Sequence, residues 1–264
     1  MKEDNILVRM PEPLDCFLAA ASVVQDYCVQ LYKQVAMRQR PHNFHITVEL
    51  ADDGQLFFWP MFPQMECRMR GELTDLSRGY WSCVMDFTDI ARVLKVCDTP
   101  KKHITEGWGI MFGASPQPLP GLGPMMNYCS TPTVDVLIDD RVPVKEQLSE
   151  YIGLNFPQTK VSIKSIEGLR PSSLFSLLAD AKMFVGMRSG ATYLSCSMQK
   201  PTVELYGNDM EATLMSKPHH ENYRMFYGAR YDAGQVWAIF EEMFMNVTGQ
   251  PPDFIADMQI AGGR

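Results

Sequence analysis

The stretch of this 264-residue chain best suited to chemistry is Arg188-Ser189-Gly190-Ala191-Thr192. The apolar run Met183 to Met187 precedes it and a helical composition, Ala191 to Met198, follows, so it reads as the turn between a strand and a helix. At the carboxyl edge of a parallel sheet such a turn gathers backbone N–H groups and the positive end of a helix dipole. The residue types add a fixed cation at Arg188, a hydroxyl at Ser189 and, at Gly190, room for a phosphate to approach the backbone. Anion binding is the chemistry these residues suit; an ordinary structural turn, present in every α/β fold, is the alternative. Asp15 is the second position of interest. It opens a long helical pattern, where a carboxylate stabilises the first turn as an N-cap or through the dipole.

Positioning these residues requires an α/β framework. Ile6 to Met10 reads as a buried first strand, and from Leu14 to Met37 the apolar residues Phe17, Leu18, Ala21, Val24, Cys28, Leu31, Tyr32 and Val35 recur at helical spacing. Strands are expected at Phe44 to Leu50, Gln55 to Trp59, Tyr80 to Phe87 and Gly107 to Phe112, with a turn at Asp52-Asp53-Gly54 and a helix from Asp89 to Val96. The stretch from Phe112 to Pro132, rich in proline and glycine, reads as a domain boundary. Beyond it, strands at Val134 to Ile138, Lys160 to Ile166, Met183 to Met187 and Pro201 to Tyr206 alternate with helices at Val144 to Leu154, Ser172 to Ala181 and Ala191 to Met198. The Ser172–Ser173 pair is taken as the cap of the second of these helices. Alternation of this kind builds a parallel sheet covered on both faces. A last helix, Ala233 to Asn246, is free to return to the first domain. The expectation is two Rossmann-like α/β domains, residues 1–120 and 121–264.

Composition narrows the function classes. The 24 Lys and Arg against 31 Asp and Glu give a formal charge of −7, which argues against broad contact with a nucleic-acid backbone. No apolar run reaches the roughly 18 residues that a membrane-spanning helix needs, and acids follow the first methionine where a secretory signal would carry bases, so a cytoplasmic protein is expected. The seven cysteines are scattered without a C-x-x-C pair and read as reduced, mostly buried thiols. His219-His220 has no Cys or Asp nearby to complete a metal set, and Lys217 and Arg224 beside it read as solvated charge. No metal and no cofactor is expected.

The segment ADAKMFVGMRSGATYLSCSMQKPTVELYG, Ala179 to Gly207, resembles the nucleotide-binding segment of the ADP-heptose:lipopolysaccharide heptosyltransferases, glycosyltransferase family 9. NILVRMPEPLDCFLAAASVV, Asn5 to Val24, is similar to that family's opening strand, turn and first helix. The departures are specific: Arg188 stands where the family has the Asp of its D-[ST]-G turn, Tyr193 where it has His, and Pro13-Leu14-Asp15 replaces L-G-D. Arg141 before Val142-Pro143 is a loose counterpart of the family's Lys before Trp-Pro. Exchanging Asp for Arg replaces an acceptor for sugar hydroxyls by a donor for phosphate or carboxylate.

The resemblance implies a GT-B architecture, two domains facing a cleft, and an inverting, metal-independent transfer of a sugar from a nucleotide-diphosphate donor to the hydroxyl of a glycan or other acceptor. Asp15 would be its general base. Arg188, Ser189, Gly190, Ala191 and Arg141 would hold the donor, and Glu167, in the loop after a second-domain strand, would accept from ribose hydroxyls unless it is a solvated loop acid. A GT-B-fold binding or structural protein without turnover is the alternative.

Overall fold

The computed structural model describes residues 4–37, 44–72, 80–97, 103–117, 119–128, 131–206, 223–227 and 233–248. Lys217, His219 and His220 lie outside that set, as do Cys129 and the side chain of Arg224. The chain forms two compact units, one of the residues up to Tyr128 with Arg170–Ser172 grouped with them, the other of the remaining described residues from Cys129 on.

The first unit is organised by a parallel sheet of β1 (Asp4–Arg9), β2 (Phe44–Leu50), β3 (Glu66–Met69) and β4 (Cys83–Asp86), in the spatial order β3-β2-β1-β4. Register sets Ile6 beside Ile46 on one side and Cys83 on the other. Helix α1 (Leu14–Ala36) is buried on all sides from Asp15 to Val24, as a helix apolar around its circumference must be. Phe17 anchors it against Phe58 and Phe62, at ring distances of 5.4 and 6.2 Å. Further along, Val29, Tyr32 and Val35 face water.

Two expected strands of this unit are helical. Residues Asp53–Met61 form a 3₁₀ helix, started by the Asp52 side chain, which accepts from the Gln55 amide at 3.1 Å. Its buried residues Gln55, Phe58 and Met61 recur every third position, the period of that helix and not of a strand. The segment read as a strand from Gly107 is part of α3 (Ile104–Phe112). His103 and Glu106 make a reciprocal capping box at its start, and Gly113, in the left-handed region at φ 68°, ends it. Gly107 lets α3 press onto α2 (Ile90–Cys97), since a Cβ there would strike Cys97 Sγ and Val93. Strand β3 carries no strong apolar alternation and was not expected.

The second unit carries β5 (Val134–Asp139), β6 (Val161–Lys164), β7 (Ala181–Met187), β8 (Thr202–Tyr206) and β9 (Tyr223–Tyr227), all parallel, in the order β6-β5-β7-β8-β9. Helices α4 (Lys145–Asn155), α5 (Pro171–Ala179) and α6 (Gly190–Ser197) connect them. Helix α5 begins at Pro171, so Ser172 and Ser173 sit inside its first turn rather than capping it; proline's fixed φ suits that first position. The last helix, α7 (Ala233–Thr248), stays in this unit. Its Val236, Phe240, Met243 and Phe244 join the core of β5, β7 and β8, with Phe244 4.7 Å from Phe156.

Candidate functional site

In the second sheet the chain leaves β5 toward β6 and returns on the other side as β7. The connections after β5 and β7 therefore diverge, opening the crevice at the strands' carboxyl ends where open α/β sheets bind ligands. Asp139 ends β5 with no exposed surface, and Arg141 follows in the loop. The Arg141 guanidinium grips that carboxylate twice, Nε to Oδ2 at 3.0 Å and Nη2 to Oδ2 at 2.7 Å, with Nε also 3.2 Å from Oδ1. Its backbone amide donates to Oδ1 at 3.1 Å. Hydrogen bonding to Asp139 holds the Arg141 guanidinium above its ordinary value, against the opposing effect of burial; the charges of Asp139, Glu167 and Asp140 add to the rise. Glu167 is thus close enough to act on Arg141, and it is exposed, three residues beyond β6.

On the other side of the crevice, β7 runs into Arg188 and the Ser189 cap of α6. Ser189 is extended, and its hydroxyl accepts from the Ala191 amide at 3.3 Å. Thr192 completes the box by accepting from the Ser189 amide at 3.1 Å and donating to the Ser189 carbonyl at 2.8 Å. The first-turn amides expected to meet a phosphate are in part committed to these bonds, and Ala191 is buried. Gly186 permits the turn's close seat on the sheet: a Cβ there would come within 2.6 Å of Phe184 and 3.2 Å of Thr192. Tyr193 is buried in the core.

Asp15 belongs to the first unit. That sheet also reverses, with β2 on one side of β1 and β4 on the other, so its crevice opens where β1 passes into α1. Pro13 occupies the N-cap position without a side-chain bond, which leaves Asp15 as the second residue of the helix, 7% exposed, its Oδ1 accepting from the Cys16 amide at 2.8 Å. The N-cap role is excluded; the first-turn carboxylate role fits. The turn is fastened from outside by Gln55, buried, which donates to the carbonyls of Pro11 at 2.7 Å and Glu12 at 3.3 Å while accepting from the Ala51 amide at 2.9 Å. Arg70 donates to the Met10 carbonyl at 2.8 Å. Arg9 lies 3.2 Å from Glu49 and 3.7 Å from Asp86 on the same edge.

Arg141, Glu167 and the Arg188–Ala191 turn therefore share the carboxyl edge of one sheet, and Asp15 stands on that of the other. Sequence reasoning missed Asp139 and Gln55. Asp139 left a faint signal, a carboxylate ending an apolar strand two residues before an arginine; Gln55 left none, because the two carbonyls it donates to are more than 40 residues away. Among the described residues no cluster of three or more His, Cys, Asp or Glu can hold a metal ion.

Two parallel sheets that each turn over at their first strand make two Rossmann-like α/β units. No family profile matches the sequence, and no curated protein does. Solved structures do match. The glycosyltransferase family 9 protein of Veillonella parvula superposes at a TM-score of 0.57 with 12% identity, over 92% of this chain and 97% of its own. The E. coli ADP-heptose lipopolysaccharide heptosyltransferase II gives 0.55 and 15% over 92% and 99%. The E. coli heptosyltransferase WaaC, solved with ADP-2-deoxy-2-fluoro heptose, gives 0.55 and 14% over 90% and 99%. The fold of this chain is that of the heptosyltransferases, in a divergent sequence.

Proposed function

We propose that the protein is an inverting glycosyltransferase that moves a sugar from a nucleotide-diphosphate donor to an acceptor hydroxyl. In this reading Asp15 takes the proton as the acceptor oxygen forms its bond to the anomeric carbon from the face opposite the leaving group. The bond from that carbon to the diphosphate breaks, and its electron pair leaves on the diphosphate, whose charge Arg188, Arg141 and the start of α6 stabilise. Ser189 and the Gly190 and Ala191 backbone would contact the phosphates after the capping box opens, and Glu167 would accept from ribose. The observation that carries the reading is the gathering of Arg141, Glu167 and Arg188 at one sheet's reversal point, in a fold whose solved neighbours include WaaC with ADP and with a fluorinated ADP-heptose. No metal enters the scheme.

A thermal-shift screen of nucleotides and nucleotide-sugars tests donor binding, because a ligand that binds only the native state raises its stability by about 2.7 kcal/mol at 100 times its Kd. With donor and acceptor in hand, Asp15→Asn should cut turnover about a hundredfold or more and leave donor affinity nearly unchanged. Unchanged turnover would remove Asp15 as the base. A binding protein without turnover is the second reading, favoured by the burial of Tyr193 where the resembling family carries its histidine; nucleotide binding with no transfer to any acceptor would establish it.

A further inference from the structure

We infer that Asp139 is a positioning residue that fixes the Arg141 guanidinium so that its outer nitrogen, Nη1, is presented to the diphosphate of a donor; the inference rests on the transferase reading. A carboxylate with no exposed surface is costly to bury unless it is paired and hydrogen-bonded. Here the pairing is with a residue only two positions on, and it holds that residue at both ends: backbone amide to Oδ1, Nε and Nη2 to the carboxylate. Two nitrogens of a planar fork bound to one carboxylate fix the plane of the third. Nη1 makes no hydrogen bond among the described residues, and the side chain is 36% exposed. A donor with its plane set, its charge secured and one edge open is what recognition of a phosphate oxygen requires.

The location supports a ligand role over a purely structural one. The pair stands at the reversal point between β5 and β7, and the strand on the other side of the crevice ends at Met187, directly before Arg188. Asp140 and Glu167 also act on Arg141, so the guanidinium is not a free long-range charge. Its usefulness to an anion depends on geometry at contact distance, and geometry is what Asp139 supplies. A lysine at 141 would keep the charge but could not grip Asp139 through two nitrogens and still offer a third.

The test is calorimetric titration of the full chain with ADP, and with UDP and GDP in parallel, for wild type, Arg141→Ala, Arg141→Lys, Asp139→Asn and the double variant Asp139→Asn/Arg141→Ala, each checked for native circular dichroism. Arg141→Ala should weaken binding about tenfold or more, and Arg141→Lys should lose most of the same. Asp139→Asn should weaken binding about fivefold although it removes a negative charge near the phosphate, and should add nothing in the Arg141→Ala background. Tighter binding by Asp139→Asn would make Asp139 a mere countercharge, and an equal loss in both backgrounds would make it a fold residue; either overturns the inference. Should Asp139→Asn not fold, Arg141→Lys decides, since wild-type affinity there means the fixed plane is irrelevant. Nucleotide binding that survives Arg141→Ala unchanged overturns the inference alone. Folded wild type that binds none of the three nucleotides overturns the transferase reading and the inference with it.

Discussion

Asp135 on β5 meets Lys182 on β7 at 2.7 Å. Burial by itself would raise its carboxyl, but hydrogen bonds from Lys182 and, at 2.8 Å, from the Lys160 amide outweigh that and leave it below the ordinary range. The native carboxyl therefore binds a proton less readily than the unfolded one, so the unfolded state holds more protons around pH 4. The contribution is complete above the unfolded value of about 3.9 and is lost as pH falls through the lower native value. Asp135→Asn should lower the urea midpoint at pH 7, and the shift should shrink as pH falls below about 4; a shift that stays constant with falling pH would mean the charge is not its source. Burial raises the thiols in the same way with no hydrogen bond to offset it, pushing Cys28 up to about 12 and Cys67, with help from Glu66, up to about 11. Both remain protonated at neutral pH, whereas Cys83 is exposed.

At the scale of elements, the connection from β1 to α1 depends on a side chain from the 3₁₀ helix Asp53–Met61. Gln55→Ala would leave the Pro11 and Glu12 carbonyls and the Ala51 amide without their partner, and should cost about 1–3 kcal/mol in urea unfolding. Gln55→Glu keeps the bond to Ala51 but turns an oxygen toward two carbonyls, and should be no milder. Leu56→Ala, one residue on and exposed, should stay within about 0.5 kcal/mol. If Leu56→Ala costs as much as Gln55→Ala, the tether is not the cause. The elements that could be read from sequence were those with length or contrast: α1 through its sustained period, and β5, β7 and β8 through apolar runs between turns. Gln55 to Trp59 and Gly107 to Phe112 are too short and too uniformly apolar for periodicity to distinguish a helix from a strand, and the capping groups that decide the matter, Asp52 and His103, act through contacts the apolar pattern does not contain. The Arg188 turn was legible as a turn; the capping box that occupies its amides was not, because it depends on which hydroxyl faces which amide.

Over the whole molecule, the core cluster around β5, β7 and β8 is built from residues of the second unit. Phe240 has no exposed surface and packs on β5, β7 and β8, so Phe240→Ala should cost about 3–5 kcal/mol. Hydrogen exchange should then quicken in the amides of β5, β7 and β8 more than in those of β1 and β2. Equal quickening in both sheets would show that the units open as one. The α/β character of both halves was legible because strand and helix alternate on both sides of the proline-rich stretch, and the GT-B expectation came from the resemblance of Asn5 to Val24 and Ala179 to Gly207 to a known family, while the strand order came only with the structure: no local feature states that β4 returns to the far side of β1.

Every strand pairing among the described residues is parallel, and that has a kinetic consequence. None of these pairs can close as a hairpin, so none of these pairings can start from a local contact. Residue 4 meets residue 44 across β1 and β2, and residue 6 waits for residue 83 to complete the other side. During synthesis β1 is therefore made long before either of its partners exists, and after β2 arrives one of its edges still stays open until β4 emerges. Refolding from denaturant is expected to be slow for the same reason, with an interval in which apolar strand edges are exposed and dilute conditions favour recovery over aggregation.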